Sequence, residues 1–239
     1  MTTVVISQPM YFPWPGFFEL VATADVYVHL DDVQFSKGGF TNRIQIKHAS
    51  GVSWMTVPLA GKGTFQDIQD LAATGNAWKA SHRGLLSQAL RGSADAASAL
   101  KVFDEVVSLA TIPAILAASI EVPARHLGLR GPQIWYKSSE LNVPGASSQR
   151  VLDIVKAVGG NRYVTAHGAA NYLDHQSFDD AGVQVDYILY SKTPWSQRHG
   201  AFTPYVSVLD LIGNEGGKAG EFIRPMTCPW REFNLSRAG

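Results

Sequence analysis

Short β-branched apolar runs alternate along the chain with apolar positions spaced three and four apart, and their order predicts most of the architecture. Val4-Val5-Ile6-Ser7 is too short and too branched for a helix and suits a buried strand. Pro9, Pro13, Pro15 and Gly16 break any regular element before Phe17, after which residues 17–22 read as a short helix. Val26-Tyr27-Val28-His29-Leu30 is apolar at nearly every position, as expected of a strand covered on both faces, with Asp31 and Asp32 at its carboxyl end. Strand alternation carried onto these aspartates points their side chains to opposite faces. Residues 40–47 and 52–58 alternate in type on either side of Ala49-Ser50-Gly51, which predicts an antiparallel hairpin, and residues 68–71 suggest one more short strand.

From Trp78 to Leu127 the pattern turns helical, with Leu85, Leu86, Ala89 and Leu90 followed by Val102, Phe103, Val106 and Val107. Gly92-Ser93-Ala94 separates two helices, and Pro113 opens or kinks a third. Alternation then returns: a strand at 134–136, an amphipathic helix at 148–158 ending in Gly159-Gly160, a strand at 163–166, a helix near Asn171 and a strand at 185–189. The expected class is α/β: a mixed sheet with an N-terminal βαβ-like unit plus hairpin (1–77), a helical middle segment (78–130) and a C-terminal βαβ unit (131–239), read as one domain over 1–239.

Composition narrows the function. The 20 Lys and Arg balance 20 Asp and Glu in 239 residues, which argues against a nucleic-acid coat, and 46% hydrophobic residues argue against disorder. Charged residues reach only 17%, below the roughly 25% of ordinary chains, while aromatics make up 10%, so an interface or an aromatic-lined cleft is expected. Cys228 is the single cysteine and has no intramolecular disulfide partner. The N-terminus lacks a basic, then apolar leader, and residues 106–120 fall short of the roughly 20 apolar residues of a membrane span, so a cytoplasmic chain without a membrane span is expected.

Candidate chemistry concentrates in the turn that begins at Gln8. A turn between a buried strand and a helix sits where α/β proteins bind ligands, and Tyr11 and Trp14 on a proline-stiffened loop can stack a planar or sugar-like group that Gln8 orients. Of Asp31 and Asp32, only one can line a given cleft. Asn42 and Arg43 lie in the first arm of the hairpin, where Arg43 can clamp a phosphate or carboxylate or pair with an aspartate. Gly61-Lys62-Gly63 offers a mobile ammonium but no GxxxxGK(S/T) pattern, so no nucleotide P-loop is expected. The seven histidines show no metal-ligand spacing, and no metal site is expected. His167 follows a strand and opens a helix, a position where bases and anion-binding groups are placed.

Taken together, Gln8-Pro-x-Tyr-x-Pro-Trp14, Leu30-Asp31-Asp32-Val33-Gln34-Phe35-Ser36-Lys37, Asn42-Arg43-Ile44, Trp54-x-Thr56-Val57-Pro58, the Tyr163 strand with Tyr172-Leu173, and Leu209 to Gly216 closely resemble the WbqC-like proteins. The likeness spans residues 4–216. Many members have Asn where this chain has Met10, and Leu-Phe where it has Ile212-Gly213. The resemblance implies a setting in O-antigen, unusual-sugar or natural-product biosynthesis. More weakly, the first region resembles adenylate-forming nucleotidyltransferase and pantothenate-synthetase folds, although its turn lacks their His-x-Gly-His.

The expectation is a transferase that moves an acyl or aminoacyl group onto an amine or hydroxyl of a small molecule, such as a nucleotide-linked amino sugar or natural-product intermediate. Asp32 or His167 would take the acceptor proton, Arg43 and Lys62 would hold an anionic donor, and Gln8, Gln34 and Asn42 would orient the substrate behind Tyr11 and Trp14. The alternatives are an ATP-dependent carboxylate-activating ligase and a non-catalytic binding or scaffold protein of a pathway. The cofactor is open, and a homodimer or a carrier protein is a further partner class. Asp210 and Asn214, four apart near a helix end, are expected to hold loops and a cap.

Overall fold

A computed structural model describes residues 1–61 and 64–238. Its six-stranded sheet is built from β1 (Thr3–Ser7), β2 (Val26–His29), β5 (Ile134–Lys137), β6 (Arg162–Thr165), β7 (Gln184–Ile188) and β8 (Thr227–Pro229) in the order β5-β2-β1-β6-β7-β8. All neighbours are parallel except β7 and β8. A separate antiparallel hairpin pairs β3 (Arg43–His48) with β4 (Gly51–Thr56), with His48 opposite Gly51.

Alternation in the central strands sorts the core onto two faces. Val5, Tyr27 and Val164 face α1 (Pro15–Ala22), α3 (Ala96–Val107), α4 (Ile112–His126) and α8 (Val208–Glu215). Val4, Ile6, Val26 and Val28 face α6 (Ser147–Ala157), α7 (His175–Asp180) and Phe233 of α9 (Trp230–Ala238). The result is a helix–sheet–helix sandwich. Helix α2 (Ala77–Ala89) packs against β3 and α3. Pro113 sits in the first turn of α4, where its missing N–H costs nothing, and Thr111 caps the helix by accepting from Ala114 N–H.

The α/β class is as expected, and the structure corrects the reading at two places. Residues 68–71 form a 3₁₀ turn (Ile68–Asp70), because their amides donate to the 31–33 segment: Ile68 N–H to Val33 O at 3.0 Å and Gln69 N–H to Asp31 O at 2.8 Å. Asp31 and Asp32 also do not diverge. The ladder ends at His29, alternation lapses, and both carboxylates turn to α5 (Ser138–Leu141).

Two long-range ties seat the hairpin over the sheet. Ser207 N–H donates to Gln45 O at 2.9 Å. The ammonium of Lys47, only 4% exposed, donates to Gln197 Oε1, Gly200 O and Ala201 O at 3.0, 3.1 and 2.6 Å. No helix among the described residues is long and apolar enough to cross a membrane.

Candidate functional site

The strand order reverses at β1. The chain leaves β1 for β2 on one side and leaves β6 for β7 on the other, so a crevice opens beyond the carboxyl ends of β1 and β6. Gln8 follows β1 and His167 follows β6. Gln8 is half-buried, and none of the hydrogen bonds among the described residues uses its side-chain amide. The indole of Trp14 packs against Tyr190 at 4.8 Å and Tyr205 at 5.5 Å, and Lys192 Nζ sits 5.4 Å from the Tyr205 ring centre. Gly16 makes room for that indole, since a Cβ there would lie 2.1 Å from Trp14 Cζ3.

His167 is exposed and lies against Tyr190 at 5.2 Å and Phe233 at 4.8 Å. Its Nε2 is 2.8 Å from Ile188 O, and a carbonyl only accepts, so Nε2 carries the proton and Nδ1 presents a lone pair. Burial, and then the Glu19 charge, pushes the Tyr190 phenol up to about 12, so it stays a neutral donor. Glu19 holds this loop from beneath by accepting Ser191 N–H at 2.9 Å and the Ser191 hydroxyl.

Beside the crevice, the hairpin and the segments after β2 and β4 enclose a cavity of about 830 Å³. Gln34, Lys37, Asn42, Arg43 and Gln66 give it polar walls, Val57, Leu59 and Leu71 an apolar one, and its described lining contains no carboxylate. Arg43 is pre-set: its guanidinium lies over Trp54 at 4.2 Å and donates to Gly39 O at 3.1 Å and to Gly38 O, with further N–H groups left over. Asn42 Nδ2 donates to Val57 O at 2.9 Å, which leaves its carbonyl oxygen for a ligand. Cations and amides without a competing carboxylate suit an anionic small molecule.

Asp32 lies elsewhere, in a shallow cleft of about 450 Å³ with Asn142, Gly145 and Arg150. Its Oδ2 accepts from Arg150 at 2.5 Å and its Oδ1 from Ser138 Oγ at 2.5 Å. Burial alone would raise this carboxyl, but the Arg150 and Ser138 hydrogen bonds outweigh it and hold the group below the ordinary aspartate range. Asp31 accepts Ser139 N–H and Oγ–H, so the two aspartates together anchor α5.

The nine positions singled out in the sequence therefore divide. Gln34, Asn42 and Arg43 share the large cavity; Gln8 and His167 follow the neighbouring strands β1 and β6, and Trp14 and His167 both pack on Tyr190; Asp32 does not join Asn42 and Arg43. Tyr11 is fully buried in the core and bonds His82, so it walls no cleft. Lys62 lies outside the described residues. Lys37 was visible within the Leu30–Lys37 motif but not singled out, whereas Tyr190, Lys192 and Tyr205 have no local pattern that would mark them. Among the described residues no group of three His, Cys, Asp or Glu side chains is arranged to hold a metal.

The chain is 28% identical over 234 residues to the uncharacterized protein Rv1507c of Mycobacterium tuberculosis (strain ATCC 25618 / H37Rv), covering 94% of this chain and 98% of that protein. No solved structure matches it significantly. The profile of one family matches residues 8–222, from the proline-rich turn to the segment after α8, and the chain belongs to that family, the WbqC-like protein family.

Proposed function

We propose that the protein is a biosynthetic transferase that moves an acyl or aminoacyl group onto an amine or hydroxyl of a small molecule, with a nucleotide-linked amino sugar or a natural-product intermediate as the acceptor class. The observation that carries this reading is the 830 Å³ cavity, large enough for a drug-sized ligand and lined by Arg43, Lys37, Gln34 and Asn42, with no carboxylate among its described lining residues. In it Arg43 and Lys37 hold the anionic part of the donor, and the amides fix its orientation. Of the two base candidates, Asp32 is committed to Arg150, while His167 is exposed, keeps Nδ1 free of the Ile188 contact and packs on Tyr190, as Trp14 does. His167 takes the acceptor proton, and Gln8 orients the acceptor against the Trp14 face.

Thermal shift against acetyl-CoA, CoA, ATP and UDP-N-acetylglucosamine tests the reading. Ligand at 100 times its Kd stabilises by about 2.7 kcal/mol, and the rise with a CoA or nucleotide-sugar ligand is expected to vanish in Arg43→Ala. A rise with ATP alone would instead support carboxylate activation. Silence across the panel, with tight co-purification of a biosynthetic enzyme, would support a scaffold.

A further inference from the structure

At the carboxyl end of the sheet, three polar groups on one face are left nearly idle. Ser7 and His29 are direct partners in the β1–β2 register, so their side chains leave the sheet side by side on the same face. Glu121, reaching in from α4, places Oε1 2.9 Å from His29 Nε2. A carboxylate accepts, so Nε2 carries the proton and Nδ1 is the basic nitrogen. That Nδ1 is buried and has no partner, and His29 as a whole is 1% exposed. Tyr27 Oη, on the same face two residues earlier, is also buried, and its polar neighbour is the Ser7 side chain. Ser7 is half-buried, and its hydroxyl makes a long contact, 3.4 Å to Gln8 O.

Packing alone does not account for this arrangement. A histidine placed only to stack between Tyr27 and Trp135, at 4.9 and 5.5 Å, needs no carboxylate to set its tautomer. An unpaired buried polar atom costs about 1–3 kcal/mol, and His29 Nδ1 is one on the strand face that Ser7 shares. Carboxylate, imidazole and hydroxyl in this order are the parts of an activated serine.

We infer that Ser7 is a nucleophile that accepts the acyl group before its transfer, with His29 as its base, Glu121 as the positioning residue for His29 and Tyr27 as a donor to the developing oxyanion. Ser7 Oγ attacks the carbonyl carbon of a thioester or acyl phosphate, and its proton passes to His29 Nδ1. The bond to the leaving group breaks, and the group departs with the electron pair as a thiolate or phosphate anion. The acceptor then attacks the Ser7 ester and gives its proton to His167. The C–Oγ bond breaks, and Ser7 Oγ takes back the proton held by His29. This rests on the transferase reading and adds a covalent intermediate to it.

The test is labelling of the full-length protein with p-nitrophenyl acetate, followed by intact mass and peptide mapping. A single acetyl group on Ser7 is expected, absent in Ser7→Ala and formed at least ~100-fold more slowly in His29→Gln, the usual worth of a general base. Glu121→Gln is expected to lower the rate constant of labelling without raising the ester concentration that half-saturates it, a split that a merely structural carboxylate would not produce. Glu121 is accessible from a neighbouring cavity, so this variant keeps the test open if His29→Gln does not fold. No label on the parent, equal labelling of Ser7→Ala, or an unchanged rate in both other variants would overturn the inference. Because the small ester needs no anion cavity, labelling without any ligand-induced thermal shift would count against the cavity reading and not against Ser7.

Discussion

Tyr11 Oη lies 3.0 Å from His82 Nδ1, a hydrogen bond that joins positions 71 residues apart beneath the proline-rich turn. Both side chains are buried, and the Trp78 indole closes against their rings at 6.1 and 5.2 Å. Burial pushes the Tyr11 phenol well up, so it donates, and the imidazole must accept in its neutral form. The turn that presents Trp14 and Gln8 thus rests on an uncharged histidine.

That histidine predicts a pH dependence. Burial lowers His82 from 6.5 to about 4, so between these values the unfolded chain binds more protons than the folded one. Its contribution is intact above pH 6.5 and is lost as the pH falls toward 4, an amount on the order of 1–3 kcal/mol. Urea midpoints measured from pH 7 to 4 should fall less steeply in His82→Gln than in the parent; parallel curves would contradict the assignment.

Asp210 is expected to act through Trp195, whose Nε1 donates to Asp210 Oδ1 at 2.8 Å. Burial raises this carboxyl, so losing the charge costs little while losing the acceptor costs more. By urea unfolding, Asp210→Asn should stay within about 1 kcal/mol of the parent and Asp210→Ala should lose about 1–3 kcal/mol.

Asp32→Asn should destabilise the α5 anchor by roughly 1 kcal/mol at pH 7, because it removes the charge paired with Arg150. The folded carboxyl titrates below the ordinary 3.8, so its contribution is present above that value and disappears as the pH falls through the folded value. The parent and variant midpoints should converge in acid; a gap independent of pH would make the effect one of packing.

Two glycines should respond in opposite directions. A Cβ on Gly220 would lie 2.2 Å from Leu127 O, a backbone atom, so Gly220→Ala is expected to lower stability by about 1–3 kcal/mol. Gly84, on an exposed stretch of α2, has nothing within 4 Å of its Cβ position, so Gly84→Ala should add about 0.5–1 kcal/mol. Melting curves of the pair decide both.

The elements most legible in the sequence were those whose burial repeats locally. Val4 to Ser7, Val26 to His29 and the hairpin arms were marked by β-branching or alternation, and α3 by its three-and-four spacing. The 3₁₀ turn at Ile68 and the α5 helix escaped, because backbone carbonyls in one case and aspartate acceptors in the other are supplied from elsewhere in the chain. The site was legible in pieces. Arg43 and Asn42 stand in one motif, but the grouping of Ser7, His29 and Glu121 depends on strand order and on a helix 92 residues beyond His29. No window of sequence contains it.

The Lys47 anchor also sets an order of events during synthesis. Its acceptors lie 150, 153 and 154 residues further along the chain. At roughly 5–20 residues per second, the ammonium waits on the order of 10 s after translation before they exist. Until then it stays hydrated, and β3 and β4 can pair but cannot settle over the sheet. The anchoring of the hairpin is therefore among the last events to complete, and a ribosome stalled before residue 197 would display the paired strands without the three acceptors that fix Lys47.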